Sequence, residues 1–470
     1  MDSLLSDPIV HYPPNAIRVT APRDVHLEQL PYRFKTRSPQ THAAELAQIA
    51  ACKQRGFPRL TLQPIRPDVL NVVGFGPTLQ ETWTQISGPT ITMSGSHDFL
   101  LSKGIIPTYH AQTDGRDHQV KFLEHPHPDV QYVMASICPP AIWDRLAGHR
   151  VCYWHNAHGQ HVVDWIAEHD QGSILVAGGS TIGMAAIHLG GILGFRKFRL
   201  FGIDGHSVQG ARHAGPHHDP EPQRRVTRWA NGRRWDTSPQ MSNACDELIP
   251  WLENPAIEVE IVGESLQAAL VHEWRQSCAF WAHVFADFTD EWVYTVRRIQ
   301  EEAEPLRAKA KYNTGSIPEA AGVALRAITD WCRPQTIVEV GTFIGVSTRA
   351  MRSARIYTCD RSNHCLEGSE RIRVHPYQGS TQMLGPLVDQ GIRADLFFFD
   401  GRIQWPDLPL ILRLSHPNTV YVFDDYHGAE KGVANVDRLR TYLPNHVLIT
   451  PVGMVRDTMT LALLVPKGLL

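Results

Sequence analysis

Five carboxylates and a glycine turn in the last third of this chain have the types and spacing to do chemistry. Thr336-Ile337-Val338-Glu339-Val340 runs a β-branched stretch into an acid, Gly341-Thr342-Phe343-Ile344-Gly345 follows as a turn, and Ser347-Thr348 open a helix. Glycines let the backbone approach a ligand closely, and the free amides of a helix start favour anionic groups. The Gly-x-x-x-Gly spacing is not the dinucleotide pattern G-x-G-x-x-G. Later apolar runs end at Asp360, at Gly379-Ser380, at Asp400 and at Asp424-Asp425. If each run is a strand of one parallel sheet, these residues share its carboxyl edge, where ligands sit. An acid in the place of Asp360 accepts hydrogen bonds from ribose hydroxyls. Asp400, Asp424 and Asp425 make an oxygen-rich set suited to Mg²⁺. Such an ion lowers the pKa of a bound hydroxyl, and His427 has the imidazole that a general base needs at neutral pH. The alternative for Asp424-Asp425 is a cap on the next turn.

Glu339-Val340-Gly341-Thr342-Phe343-Ile344-Gly345 with Ser347-Thr348 resembles the first motif of class I S-adenosylmethionine (SAM)-dependent methyltransferases. The resemblance implies that Glu339, Gly341, Thr342 and Gly345 face the methionine part of SAM, that Asp360 takes the ribose, and that Gly379-Ser380 lie near the adenine. The acid after the fourth strand and the acid pair after the fifth are similar to metal-dependent O-methyltransferases of the catechol and macrolide-sugar types. That implies Asp400 and His427 at the reacting centre and Asp400, Asp424 and Asp425 around Mg²⁺. Arg402 after Asp400-Gly401 departs from the pattern, which leaves the substrate class open.

A second strand–turn–helix pattern opens at Asp68. Val69-Leu70-Asn71-Val72-Val73 leads into Gly74-Phe75-Gly76-Pro77-Thr78-Leu79, and Pro77 suits a first helical turn. Further strands end at Asp114, at Gly178-Gly179 and at Asp204. Strands alternating with helices indicate a second open parallel sheet. The order resembles the Rossmann-like domain of 6-hydroxymethylpterin diphosphokinase-like proteins, and bacterial sialyltransferases have a similar G-x-G-P-[ST]-L start. The resemblance implies a nucleotide or nucleotide sugar held by Gly74, Gly76, Pro77 and Thr78, with Asp114, Gly178, Gly179 and Asp204 on the same edge. From Asp204 to Asn243 the chain is basic and reads as irregular, either a substrate lid with His and Arg side chains or a solvated loop.

These elements divide the chain into an extension (1–66), a Rossmann-like domain (67–265), a helical linker rich in aromatics (266–315) and a methyltransferase-like domain (316–470). The fold class is α/β, with two Rossmann-like parallel sheets joined by the helical segment. The chain has 470 residues, 43% of them apolar and 20% charged, and a net charge of −3. That gives no basic face for nucleic acid. No apolar run has the length of a membrane helix. Eight scattered cysteines without a C-x-x-C pair argue against a zinc or disulfide framework and for a reduced, cytoplasmic setting. The expected acceptor is a glycan or a small hydroxylated metabolite, and a homo-oligomer is compatible with the sequence. The competing expectation is a methyltransferase whose N-terminal domain only binds or scaffolds.

Overall fold

The computed structural model describes residues 17–19, 41–157, 159–176, 179, 181–208, 210–215, 225–307, 317–361, 367–376, 378–426, 431–452 and 461–470. The chain is α/β and forms two compact units. Unit 1 comprises Met1–Leu27, Arg33–Arg228 and Arg234–Leu270, and unit 2 comprises Glu28–Tyr32, Trp229–Arg233 and Val271–Leu470.

Unit 1 is built on a nine-stranded sheet. Its strands are β1 (Ile17–Val19), β2 (Val69–Val73), β3 (Thr90–Met93), β4 (Tyr109–Gln112), β5 (Gln131–Ala135), β6 (Arg150–Asn156), β7 (Ile174–Val176), β8 (Lys197–Phe201) and, further along the chain, β11 (Glu258–Val262). The order is β1-β7-β6-β5-β4-β3-β2-β8-β11, and every neighbouring pair is parallel. A parallel sheet is covered on both faces, so its strands are apolar along their length rather than alternating. In β2, Leu70, Val72 and Val73 are all buried, and so are Tyr132, Val133, Met134 and Ala135 of β5. The chain leaves β2 toward one side of the sheet and reaches β8 on the other, so the strand order reverses between β2 and β8.

The Asp204–Asn243 stretch is not irregular throughout. Val226–Ala230 (β9) and Arg233–Thr237 (β10) pair as a two-stranded ribbon, and a helix runs over Pro239–Leu252. Arg228 is tied to Asp246, with its Nη1 2.8 Å from Oδ2. His217, His218, Asp219 and Arg224 lie outside the described residues.

Unit 2 holds a seven-stranded sheet of β12 (Thr336–Val340), β13 (Arg355–Asp360), β14 (Ile372–Pro376), β15 (Leu396–Phe399), β16 (Val420–Phe423), β17 (His446–Ile449) and β18 (Ala462–Pro466). The order is β14-β13-β12-β15-β16-β18-β17, and it reverses between β12 and β15. β18 lies antiparallel between β16 and β17, and β17 takes the edge.

The aromatic stretch after residue 265 forms two helices, Leu266–Val284 and Asp290–Arg307. It is more than a linker. Phe280, Trp281, Trp292, Val296 and Ile299 belong to one buried cluster with Ile337 of β12, Ile356 of β13 and Phe398 of β15. Among the described residues no helix is long and apolar enough to cross a membrane.

Candidate functional site

In an open α/β sheet the ligand crevice opens at the carboxyl end where strand order reverses. In unit 2 that point lies between β12 and β15, beside the Gly341–Gly345 turn. The turn needs its glycines for geometry. Gly341 has φ +102°, and a Cβ there would sit 3.0 Å from the Gly401 nitrogen and 3.1 Å from the Asp400 carbonyl carbon. Gly341 and Thr342 N–H donate to the Cys359 carbonyl at 3.1 and 3.2 Å, and Phe343 N–H donates to Asp360 Oδ2 at 2.7 Å. The acid at the end of β13 therefore fixes the turn on β12.

Beneath the turn, Glu339 is fully buried and accepts from Ser347 Oγ and Thr348 Oγ1, each at 2.5 Å. Burial pushes its carboxyl up, against those two hydrogen bonds. Glu339 pins the start of the helix Val346–Ala350. Thr342 Oγ1 is paired with Thr358 Oγ1.

Above the turn lies a cavity of about 600 Å³. Gly341, Asp360, Gly379, Ser380, Asp400 and Asp425 line it. Glu339, Thr342 and Gly345 do not, so they shape the site from below rather than touch its contents. Ser380 reaches the cavity, but its hydroxyl donates to Asp407 Oδ2 at 2.7 Å.

Asp400, Asp424 and Asp425 come together as expected, each offering one oxygen within 4.8 Å of the others. Lys431, absent from the sequence reading, sits among them. Its Nζ lies 2.5 Å from Asp400 Oδ1 and 2.6 Å from Asp425 Oδ2. Burial and the neighbouring Asp424 push the Asp400 carboxyl up to about 8, and Lys431 opposes them. Burial works against the Lys431 charge, but Asp400 and Asp425 hold the ammonium above its ordinary range. The oxygen set fits a hard divalent cation. Lys431 precedes the helix Gly432–Arg440, and no motif links it to Asp400, 31 residues earlier. His427 lies outside the described residues.

Unit 1 reverses between β2 and β8, where Gly74–Thr78 meets Asp204. A Cβ on Gly76 would lie 2.5 Å from Asp204 Oδ2 and 2.7 Å from the Gly202 carbonyl. Asp204 is only 5% exposed, and it accepts Thr78 N–H at 2.8 Å and Thr78 Oγ1–H at 2.5 Å. Burial raises its carboxyl against those bonds. The Thr78 donors expected to meet a phosphate are thus engaged by the protein's own acid. Asp114 is bound by Arg116 Nε at 2.8 Å and by Gln119 at 3.0 Å. Gly179 packs beside Glu247, and Gly178 lies outside the described residues. Beside the Gly74–Thr78 loop lies a cavity of about 520 Å³ with Phe75, Phe99 and Phe122 in its wall and Asp98, Lys121 and His125 among its polar groups. None of Gly74, Gly76, Pro77, Thr78, Asp114, Gly179 and Asp204 lines it. Phe75 does, and its place between two glycines was the available signal.

Residues 45–208 match the family described as 6-hydroxymethylpterin diphosphokinase MptE-like. That stretch is MptE-like. No curated protein matches the chain. Among solved structures, the MAf glycosyltransferase of Magnetospirillum magneticum AMB-1 is 17% identical at a TM-score of 0.38, over 58% of this chain and 48% of that one. This chain therefore spans less than half the length of that protein. An O-methyltransferase of Bacillus cereus in complex with SAH is 19% identical at a TM-score of 0.27, over 37% of this chain and 90% of that one. The O-methyltransferase TomG of Streptomyces achromogenes, in complex with SAM, is 20% identical at 0.28, over 38% and 91%. The C-terminal part resembles these methyltransferases at low identity.

Proposed function

We propose that unit 2 is a SAM-dependent O-methyltransferase acting on a glycan or a small hydroxylated metabolite, and that unit 1 binds a nucleotide or nucleotide sugar. One observation carries the methyltransferase reading: Gly341, Asp360, Gly379 and Asp400 converge on a single cavity at the reversal point of the sheet. In this reading Asp360 accepts from the ribose hydroxyls while its Oδ2 holds the turn through Phe343. Asp400 stands beside Gly341, where a carboxylate meets the methionine ammonium.

Asp400, Asp424 and Asp425 would hold Mg²⁺, and that ion supplies acidification of the acceptor hydroxyl when bound. Lys431 then has to share or yield Asp400 and Asp425, which makes it a candidate proton carrier as well as a counter-charge. Titration calorimetry of the full chain with SAM tests the reading: saturable binding is expected, and no heat at millimolar SAM ends it.

For unit 1 the closure of Thr78 by Asp204 favours a binding module over a transferase that grips phosphates with this loop. The aromatic wall at Phe75, Phe99 and Phe122 supports binding of a planar ring. Thermal unfolding of the full chain with CMP, UDP, GDP and ATP checks this, and an upward shift with at least one is expected.

A further inference from the structure

A second cavity in unit 2, about 440 Å³, lies away from the cofactor crevice. Its wall is built from four elements. Arg298 comes from the helix Asp290–Arg307, Arg326 from the helix Glu319–Cys332, Arg349 from the helix Val346–Ala350, and Arg371 from the approach to β14. The cavity reaches Ile372 at the amino end of β14, whereas the cofactor crevice reaches Gln378 and Gly379 beyond its carboxyl end.

Among the described residues the wall carries four arginines and one carboxylate, Glu367. Arg349 and Arg298 share Glu302, the latter at 3.7 Å. Arg371 Nη1 donates to the neutral Met351 carbonyl at 3.0 Å. Arg326 Nε is buried and has no partner among the described residues. Burial lowers the Arg326 guanidinium, and the nearby Arg352 and Arg371 push it the same way, against Asp330 and Glu291. Burial lowers Arg371 too.

We propose that this cavity is a binding site for a phosphorylated small molecule carrying at least two negative charges. Guanidinium forks arriving from four elements match the several oxygens of a phosphate or diphosphate, which each fork can engage through two parallel N–H donors. The volume exceeds what one phosphate fills and lies within the range of small-ligand sites, and Ile299 and Ile372 offer an apolar wall to an organic body. The site does not depend on the SAM reading.

The test uses the full chain in magnesium-free buffer with inorganic pyrophosphate as probe, followed by calorimetry and thermal unfolding. Wild type should bind and melt higher with the probe. Arg326→Gln/Arg371→Gln should lose about tenfold or more in affinity, from removal of charge-assisted hydrogen bonds. Without probe the same variant should melt at or above the wild-type temperature, because like charges have been removed from a partly buried site. A purely structural role for these arginines predicts the opposite shift. If the double variant does not fold, Arg371→Gln alone serves. No binding to wild type, or equal binding to wild type and variant, overturns the proposal.

Discussion

The two reversal points place the same ingredients side by side and use them differently. In each, a glycine of the first turn stands against an acid from the neighbouring strand: Gly76 against Asp204 in unit 1, and Gly341 against Asp400 in unit 2. Asp204 turns back onto its own loop and takes both Thr78 donors. Asp400, with its side chain 14% exposed, is met from elsewhere by Lys431, and the space above Gly341 stays open as a cavity. A glycine turn facing an acid is therefore not a ligand site in itself. The partner of the acid decides whether it closes the loop or serves the crevice.

The strongest break of this comparison is Gly76→Val. Its Cβ would lie 2.5 Å from Asp204 Oδ2 and 2.7 Å from the Gly202 carbonyl, well inside van der Waals contact, so unit 1 should lose on the order of 3 kcal/mol or more, from overpacking against backbone. Urea denaturation reads this directly, and a variant as stable as wild type would show that the Asp204–Thr78 closure is absent in solution.

Next in size, pH separates the units with opposite signs. His188 of unit 1 is fully buried, with no partner for either ring nitrogen among the described residues, and burial lowers it from 6.5 to about 4. The unfolded chain takes up this proton near 6.5 and the fold does not, so the stability is present above 6.5 and is lost as pH falls through about 4. The loss is on the order of 3 kcal/mol. Asp400 works the other way. The unfolded chain releases its proton near 3.8 and the fold holds it to about 8, so its contribution is present below 3.8 and is lost as pH rises through about 8. His188→Leu should flatten the acid limb of a stability–pH curve and Asp400→Asn the alkaline limb. Unchanged limbs in these variants would refute the respective assignments.

A smaller effect is expected at Asp360. Asp360→Ala should weaken SAM by about 1.5–3 kcal/mol through loss of a charge-assisted hydrogen bond, whereas Asp204→Ala should leave SAM affinity alone. Calorimetry on both variants distinguishes a serving acid from a closing one. Smallest, Ser380→Ala should cost about 1 kcal/mol of stability and change SAM affinity little, since its hydroxyl already donates to Asp407. A large drop in SAM affinity in this variant would mean that the hydroxyl leaves Asp407 for the ligand.

Much of this was legible in the chain. The apolar runs ending at Asp360, Asp400 and Asp424 are strands β13, β15 and β16, because parallel strands covered on both faces keep a continuous apolar signal. β6 offers only the short apolar run Val151–Trp154 before His155 and Asn156, although His155 is buried between Ser136 Oγ at 2.7 Å and Asp170 at 2.9 Å. The ribbon β9–β10 reads as a basic loop because Arg228, Arg233 and Arg234 dominate it. The closure of Thr78 and the arrival of Lys431 depend on which strands become neighbours, and spacing along the chain does not encode that.

The two helices before residue 308 have a practical consequence for anyone dividing the chain. A fragment starting at 316 would drop Phe280, Trp281, Val284, Trp292, Val296 and Ile299 from the cluster that covers β12, β13 and β15. At about 1.5–3 kcal/mol for each large buried side chain, the loss is on the order of 10 kcal/mol, comparable to the whole stability of a typical domain. Such a fragment would present a bare hydrophobic flank and aggregate, whatever its active-site residues. An expression boundary that keeps both helices whole falls no later than Leu266.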